Sequence, residues 1–209
     1  MSETKLPRAT AKRIPQYYRQ FQKLQAEGVT NIMSKDLALI MKIESTTIRR
    51  DFSYIGELGK QRVGYDVNYV VAKLQTFLGF DEPKAVILIG AGHLATALIN
   101  YNYIKGNNIL ISAAFDNSTE KVGSEIRDIP VYHMSELATY LTANPQITVA
   151  ILSAPSEVAQ EITNQLIAQG INGILNFSSK RLDVPKHVVV ENVDLASKLQ
   201  TLVYLTDQT

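Results

Sequence analysis

The chain has 209 residues, is 45% hydrophobic and carries a formal net charge of +1, which suits one large globular domain or two small ones. It contains no cysteine, so disulfides, thiolate metal sites and thiol-based redox sensing are excluded, and any redox sensing must work through a bound ligand. No stretch approaches the roughly 18 uninterrupted apolar residues of a membrane span and the first residues lack the apolar core of a secretory leader, which predicts a cytoplasmic protein with no membrane partner.

The first 80 residues hold three short helical patterns. Ile14, Tyr17, Tyr18, Phe21 and Leu24 recur at helical spacing, with Pro15 placed in the first turn and Gly28 positioned to stop the helix. Ser34 is placed to cap a second helix carrying Leu37, Ala38, Ile40 and Met41. Ser45 is placed to cap a third, with Ile48, Phe52 and Ile55 inward and Gly56 at its end. The short connection from Lys42 to Glu44 makes this pair a helix-turn-helix candidate. Gly59-Lys60-Gln61-Arg62-Val63-Gly64-Tyr65 then reads as a Gly-bounded basic hairpin, or wing. A further helix starts at about Asn68 with Val70, Val71, Leu74 and Phe77 on one side. Gly79-Phe80-Asp81-Glu82-Pro83 reads as a linker.

The charge changes sign at that linker. Residues 1–80 hold thirteen Lys/Arg against seven Asp/Glu, and residues 81–209 hold eight against thirteen. A basic head and an acidic body point to a polyanionic partner for the head alone.

From Lys84 the pattern alternates strand and helix. Ala85 to Ile89 is a continuous apolar run of the kind buried on both faces of a parallel sheet, and Ile109 to Phe115, Val149 to Leu152 and Ile174 to Phe177 are similar. Asn192 is placed to cap a last helix whose Val193, Leu195, Ala196, Leu199, Leu202, Val203, Tyr204 and Leu205 are apolar almost all round, so it needs cover from its own chain or a second copy. The expected fold is therefore α/β: an N-terminal winged-helix domain over 1–80, a C-terminal Rossmann domain over 81–191 and a terminal helix over 192–209.

Gly90-Ala91-Gly92-His93-Leu94-Ala95 follows the first buried strand directly and opens a helix, which is the context in which such a string binds a dinucleotide. Gly90 makes the tight turn, Gly92 lets backbone approach a pyrophosphate, and Ala95 is small enough for close helix–strand packing. The helix N-terminus supplies unpaired N–H groups for the phosphates. Asp116 closes the next strand, where a carboxylate accepts from ribose hydroxyls and repels a 2′-phosphate, favouring NAD(H) over NADP(H). Lys121, five residues on, weakens that preference slightly. Ser153-Ala154-Pro155 ends a later strand on the nicotinamide side. There an apolar wall favours the neutral reduced ring over the cationic oxidised one, hence NADH over NAD+.

No catalytic residue is assigned. His93 faces the phosphates, and His133 and His187 stand beside other strands as isolated residues, so no proton donor is placed for hydride transfer. No metal-ligand spacing is present. In the head, Thr46, Arg49 and Arg50 share the face of the third helix opposite Ile48, Phe52 and Ile55. Arginine pairs bidentately with guanine, and Ser45, Thr46 and Thr47 reach phosphates or base edges from the helix start. Lys60 and Arg62 in the wing, with Lys12 and Arg13 before the first helix, are candidates for the backbone or the minor groove of double-stranded DNA.

Ile14-Pro15-Gln16-Tyr17-Tyr18-Arg19, Thr47-Ile48-Arg49-Arg50-Asp51-Phe52, Gly64-Tyr65-Asp66-Val67, the glycine loop, Ala114-Phe115-Asp116, Gly173-Ile174-Leu175-Asn176-Phe177 and Val193-Asp194-Leu195-Ala196 with Leu199-Gln200 resemble, in this order and nearly end to end, the Rex family of redox-sensing transcriptional repressors. The resemblance implies a homodimer that binds a palindromic operator, represses NADH-linked fermentative or respiratory genes and lets go when NADH rises relative to NAD+. It also implies that the terminal helix is domain-swapped between subunits and packs near the partner's head. Ala95 departs from the third glycine of many members. On this reading, closure around NADH changes the angle between two recognition helices that must meet half-sites roughly 34 Å apart. A 100-fold loss of operator affinity needs roughly 2.7 kcal/mol of preference for the closed form. Asp194 is a candidate partner for Arg13, and Tyr101 a candidate relay. Two rivals stand beside this reading: a small NAD-dependent oxidoreductase with a nucleic-acid-binding extension, and a regulator gated by another nucleotide or a sugar phosphate.

Overall fold

Residues 6–60, 63–101 and 108–208 are described by a computed structural model, in which the chain divides into two units, Met1–Glu82 and Pro83–Thr209.

In the first unit, helix α1 (Arg8–Ala26) buries Ile14, Tyr17, Tyr18, Phe21 and Leu24 as its periodicity requires. Pro15 does not sit in the first turn, because the helix begins seven residues earlier. A proline inside a helix removes one backbone hydrogen bond and crowds the preceding turn. Here both sides of it are tied to the same carboxylate: Thr10 and Arg13 before it and Tyr17 after it all hydrogen-bond to Asp51.

Helices α2 (Ser34–Met41) and α3 (Ser45–Ser53) follow, joined through Lys42 in the left-handed region at φ 53°. The expected serine caps are absent. Met33 and Glu44 hold the cap positions, and Ser34 and Ser45 are already the first helical residues. Strands β1 (Asn31–Ile32), β2 (Gly59–Lys60) and β3 (Gly64–Asp66) form an antiparallel sheet in the order β1-β3-β2, with β2 and β3 as the wing. Asp66 then caps α4 (Val67–Phe77) by accepting from the Tyr69 N–H at 2.8 Å. The Phe52 ring of α3 meets Tyr17 of α1 and Tyr65 of the wing edge-on, each at 5.0 Å. Aromatic contacts of this kind fix the third helix against both neighbours.

The second unit is a seven-stranded sheet built from β4 (Lys84–Ile89), β5 (Ile109–Asp116), β6 (Glu125–Ile126), β7 (Ile129–His133), β8 (Val149–Leu152), β9 (Gly173–Asn176) and β10 (Val189–Asn192). The order is β10-β9-β8-β4-β5-β7-β6, parallel except for β6. Helices α5 (His93–Asn100), α6 (Leu137–Ala143) and α7 (Ser156–Ala168) lie between strands. The four predicted strands are present, and β6, β7 and β10 are additional. Strand β7 contains Pro130 and is mostly half-buried, and β10 is a half-exposed edge, so neither carries a continuous apolar run. The chain leaves β4 in one direction to β5 and returns on its other side at β8. The gap between them is the topological switch point, where α/β sheets bind ligands at the carboxyl ends of their strands.

The terminal helix α8 (Leu195–Thr206) is capped by Asp194, whose carboxylate accepts from the Ser197 N–H at 2.8 Å. Asn192, the expected cap, is instead the last residue of β10. No residue of α8 is buried, and Leu199, Leu202 and Tyr204 are 60%, 60% and 64% exposed.

Candidate functional site

The register of three neighbouring strands brings the predicted nucleotide residues together. Ile89 of β4 stands opposite Phe115 of β5 and Leu152 of β8, so Gly90, Asp116 and Ser153 emerge side by side. Backbone bonds tie them: Gly90 N–H donates to Phe115 O at 2.7 Å, and Ser153 N–H donates to Ile89 O at 2.8 Å. The Ser153 hydroxyl donates to Gly90 O at 3.2 Å.

Gly90 has φ +91°, and a Cβ there would lie 2.6 Å from Ser153 O, so only glycine makes this turn. Gly92 is different. A Cβ on it would meet nothing within 4 Å and would project into open space where α5 begins. Its lack of a side chain answers no internal crowding, which leaves room for an outside group at the N–H groups of the helix start. Ala95, on the inward side of α5, is fully buried, and His93 is exposed.

Asp116 is part of the loop rather than a bystander. Oδ2 accepts from the Ala91 N–H at 2.7 Å and from Lys121 Nζ at 3.2 Å, and Oδ1 accepts from the Ser118 N–H at 2.8 Å. Desolvation pushes this carboxyl up, but the bonds from Ser118, Ala91 and Lys121 outweigh it and hold the group below its ordinary value. A carboxylate offers about four acceptor positions, so about one remains for a ribose hydroxyl while Lys121 is docked. Ala154 and Pro155 follow Ser153 into α7, with Pro155 exposed. Beside Asn117, a cleft of about 250 Å³ opens between Met134, Ser135, Val158 and Ile162. The sequence reading missed this cleft, because its lining comes from three separate segments and none carries a motif.

In the head, Thr46, Arg49 and Arg50 are exposed on one face of α3 while Ile48 and Phe52 are buried, and Ser45 and Thr47 are half-exposed at its start. Lys12 is exposed on α1 and Lys60 at the end of β2, and Arg62 lies outside the described residues. Arg13 is placed differently from expectation. Its Nε and Nη2 donate to Asp51 at 2.6 and 2.8 Å, so it is engaged inside the head. Asp51 is on the inward side of α3, whereas Arg49 and Arg50 are exposed. It is fully buried and also accepts from Thr10 at 2.9 Å and Tyr17 at 2.7 Å. Burial opposes its charge, but the bonds from Arg13, Tyr17 and Thr10 hold its carboxyl below the ordinary value. Burial and the same carboxylate push the Tyr17 hydroxyl up.

Tyr101 follows α5 and is 59% exposed, and Asp194 is the α8 cap. His133 caps a short 3₁₀ turn, its Nδ1 accepting from the Ser135 N–H at 3.2 Å, while the Glu136 side chain accepts from the His133 N–H at 3.1 Å. Among the described residues no cluster of His, Cys, Asp and Glu is placed to hold a metal, and no helix is long and apolar enough to cross a membrane.

Residues 81–180 match the family described as "CoA binding domain", and residues 5–53 match "Putative DNA-binding protein N-terminus". The redox-sensing transcriptional repressor Rex of Bacillus licheniformis is 48% identical over 204 residues, covering 98% of this chain and 94% of that one. A crystal structure of RSP, a Rex-family repressor, in complex with β-NAD+ and operator DNA is similar with a TM-score of 0.91 at 32% identity, covering 98% of this chain and 94% of the other. RSP in complex with β-NADH gives a TM-score of 0.87 at 31% identity, with 98% and 96% covered. Near-complete coverage at this identity spans both the DNA-binding and the nucleotide-binding units, and the chain belongs to the Rex family of redox-sensing transcriptional repressors.

Proposed function

We propose that this repressor holds NAD(H) at the switch point of its second unit, binds a palindromic operator through α3 and the wing, and releases the operator when NADH is bound. The observation that carries the reading is the Gly90–Asp116–Ser153 cluster. It combines a glycine turn, an open helix start and an acid whose position is fixed by the loop it serves. The N–H groups at the start of α5 face the pyrophosphate, with Gly92 leaving the approach clear. Asp116 accepts from the adenine ribose and disfavours a 2′-phosphate. The cleft beside Asn117 takes the adenine, and Ala154 and Pro155 border the nicotinamide. The bound nucleotide supplies charge and shape that differ between its oxidised and reduced rings.

On the DNA, Arg49, Arg50 and Thr46 read bases, and Ser45, Thr47, Lys12, Lys60 and Arg62 hold the backbone or the minor groove. The exposed apolar residues of α8 are covered by a second copy, so the working unit is a homodimer with α8 exchanged. Tyr101 and Asp194 take part in passing nucleotide occupancy to the heads. The protein performs no catalysis; an oxidoreductase would have to show turnover with NADH and an aldehyde or ketone. The test is fluorescence anisotropy on a palindromic duplex selected from random sequence by the protein. NADH releases it at concentrations where NAD+ does not.

A further inference from the structure

Asn176, in the motif stretch 173–177, has no role in the nucleotide cradle, yet it is fully buried at the end of β9. Strand register sets Leu152, Asn176 and Asn192 in one row across β8, β9 and β10. The next residues along are Ser153, at the nucleotide edge; Phe177, whose N–H donates to Leu152 O at 2.9 Å; and Val193, whose N–H donates to Asn176 O at 2.8 Å. Val193 begins the connection into α8.

The Asn176 side chain ties this row together. Its Nδ2 donates to Asn192 Oδ1 at 2.8 Å and to Lys180 O at 2.9 Å. Its Oδ1 accepts from the Ser178 N–H at 3.0 Å and the Ser178 hydroxyl at 2.7 Å. A backbone carbonyl on one side and a backbone N–H on the other allow the amide only one orientation. Both donors and the oxygen are used, so a small hydrophobe or a carboxylate would leave buried groups unpaired. A plain sheet end needs no such device, because β9 and β10 are already joined by their ladder. The bond to Asn192 adds a fixed direction to the residue from which the chain leaves for α8.

We propose that Asn176 and Asn192 form a latch that makes the nucleotide-facing end of the sheet and the root of α8 move as one body, Asn176 being a positioning residue for signal transfer rather than for nucleotide or DNA binding. This rests on the reading that NADH releases the operator through the exchanged helix. Rigid transmission requires that displacement beside Ser153 is not absorbed at residues 192–194. Loss of one bond there loosens the root and leaves both binding sites intact.

The test uses the full-length protein and its selected duplex, with NADH as the probe. Asn192 is exposed, so its substitution spares the core. Asn192→Ala removes the acceptor, whereas Asn192→Asp keeps an oxygen for Asn176 Nδ2. For Asn192→Ala we expect NADH affinity and nucleotide-free operator affinity within two-fold of the parent. The factor by which NADH weakens operator binding falls about five-fold, the size of one hydrogen bond. Asn192→Asp restores that factor, and thermal unfolding of the two variants is alike. A full factor in Asn192→Ala, or an equal fall in Asn192→Asp, overturns the latch. A parent protein whose operator binding ignores NADH overturns the functional reading itself, and the latch with it.

Discussion

Arg13 of α1 and Asp51 of α3 meet in a two-pronged ion pair, Nε to Oδ2 at 2.6 Å and Nη2 to Oδ1 at 2.8 Å, across 38 residues of sequence. The carboxylate is fully buried, while the arginine side chain keeps 22% of its surface in solvent. Thr10 and Tyr17 complete its set of donors. The arrangement sets α3 against α1 and spans Pro15, which removes one backbone hydrogen bond from the continuous α1 helix.

Asp51→Asn removes the charge but keeps the shape, and we expect it to cost about 2 kcal/mol of head stability, below the roughly 3–5 kcal/mol of a wholly buried pair because Arg13 is partly solvated. A carboxyl held below its ordinary value of 3.8 contributes stability that is full above that pH and is lost as the pH falls through its folded-state value. The stability gap between parent and Asp51→Asn therefore closes on acidification below about pH 4. Urea unfolding across pH 3 to 7 measures it; a constant gap would show that folding does not shift the Asp51 carboxyl from its ordinary value.

The two loop glycines should fail differently. Gly90→Ala forces a Cβ onto Ser153 O and strains a positive φ, so it lowers the melting temperature as well as nucleotide affinity. Gly92→Ala meets no neighbour, so it leaves the fold intact and is expected still to weaken NADH binding, by about ten-fold, because on the proposed reading the methyl stands where the phosphates approach. Melting curves beside NADH titrations separate the two. Undiminished NADH affinity in Gly92→Ala would move the phosphates elsewhere.

That contrast shows what the sequence makes legible. The glycine loop, Asp116 and Ser153 are readable because each sits at the end of an apolar strand, and parallel register then aligns strand ends without further information. The exposed face of α3 is readable because helical periodicity is local. The Arg13–Asp51 pair and the Asn176–Asn192 bond are not, since each joins side chains that only tertiary packing brings together. Cap positions are hidden for a different reason. Ser34 and Ser45 are chemically suitable, but capping also needs non-helical backbone at that residue and both are already helical, whereas Asn192 is held in β10, two residues before the Asp194 cap.

On the proposed reading, Lys121 and Asp116, paired at 3.2 Å, together set the choice between NADH and NADPH. Asp116→Asn loses the repulsion of a 2′-phosphate, the Lys121 pair and part of the bond to the Ala91 N–H. It should weaken NADH by about ten-fold or more, at roughly 1.5–3 kcal/mol for a charge-assisted bond, and narrow discrimination against NADPH. Lys121→Ala keeps the acid and frees an acceptor position, so it widens that discrimination. Competition titrations with the two nucleotides check both, and a Lys121→Ala protein that prefers NADPH would refute the assignment.

The terminal helix should control assembly. Leu199→Asp with Leu202→Asp alters two residues that are 60% exposed among the described residues, so the fold is expected to survive while the proposed dimer dissociates. Sedimentation velocity reports the expected monomer, and operator affinity falls because two half-sites are no longer bound together. A dimer that persists would place the interface elsewhere.

Nucleotide occupancy in the second unit is expected to set operator binding by the first. Anisotropy on one palindromic duplex, with NADH and NAD+ titrated separately and absorbance followed for turnover, measures this coupling. NADH is expected to lower operator affinity about 100-fold, with little effect of NAD+ at the same concentration and no change in absorbance. Equal responses to the two nucleotides, or consumption of NADH in step with release, would contradict it.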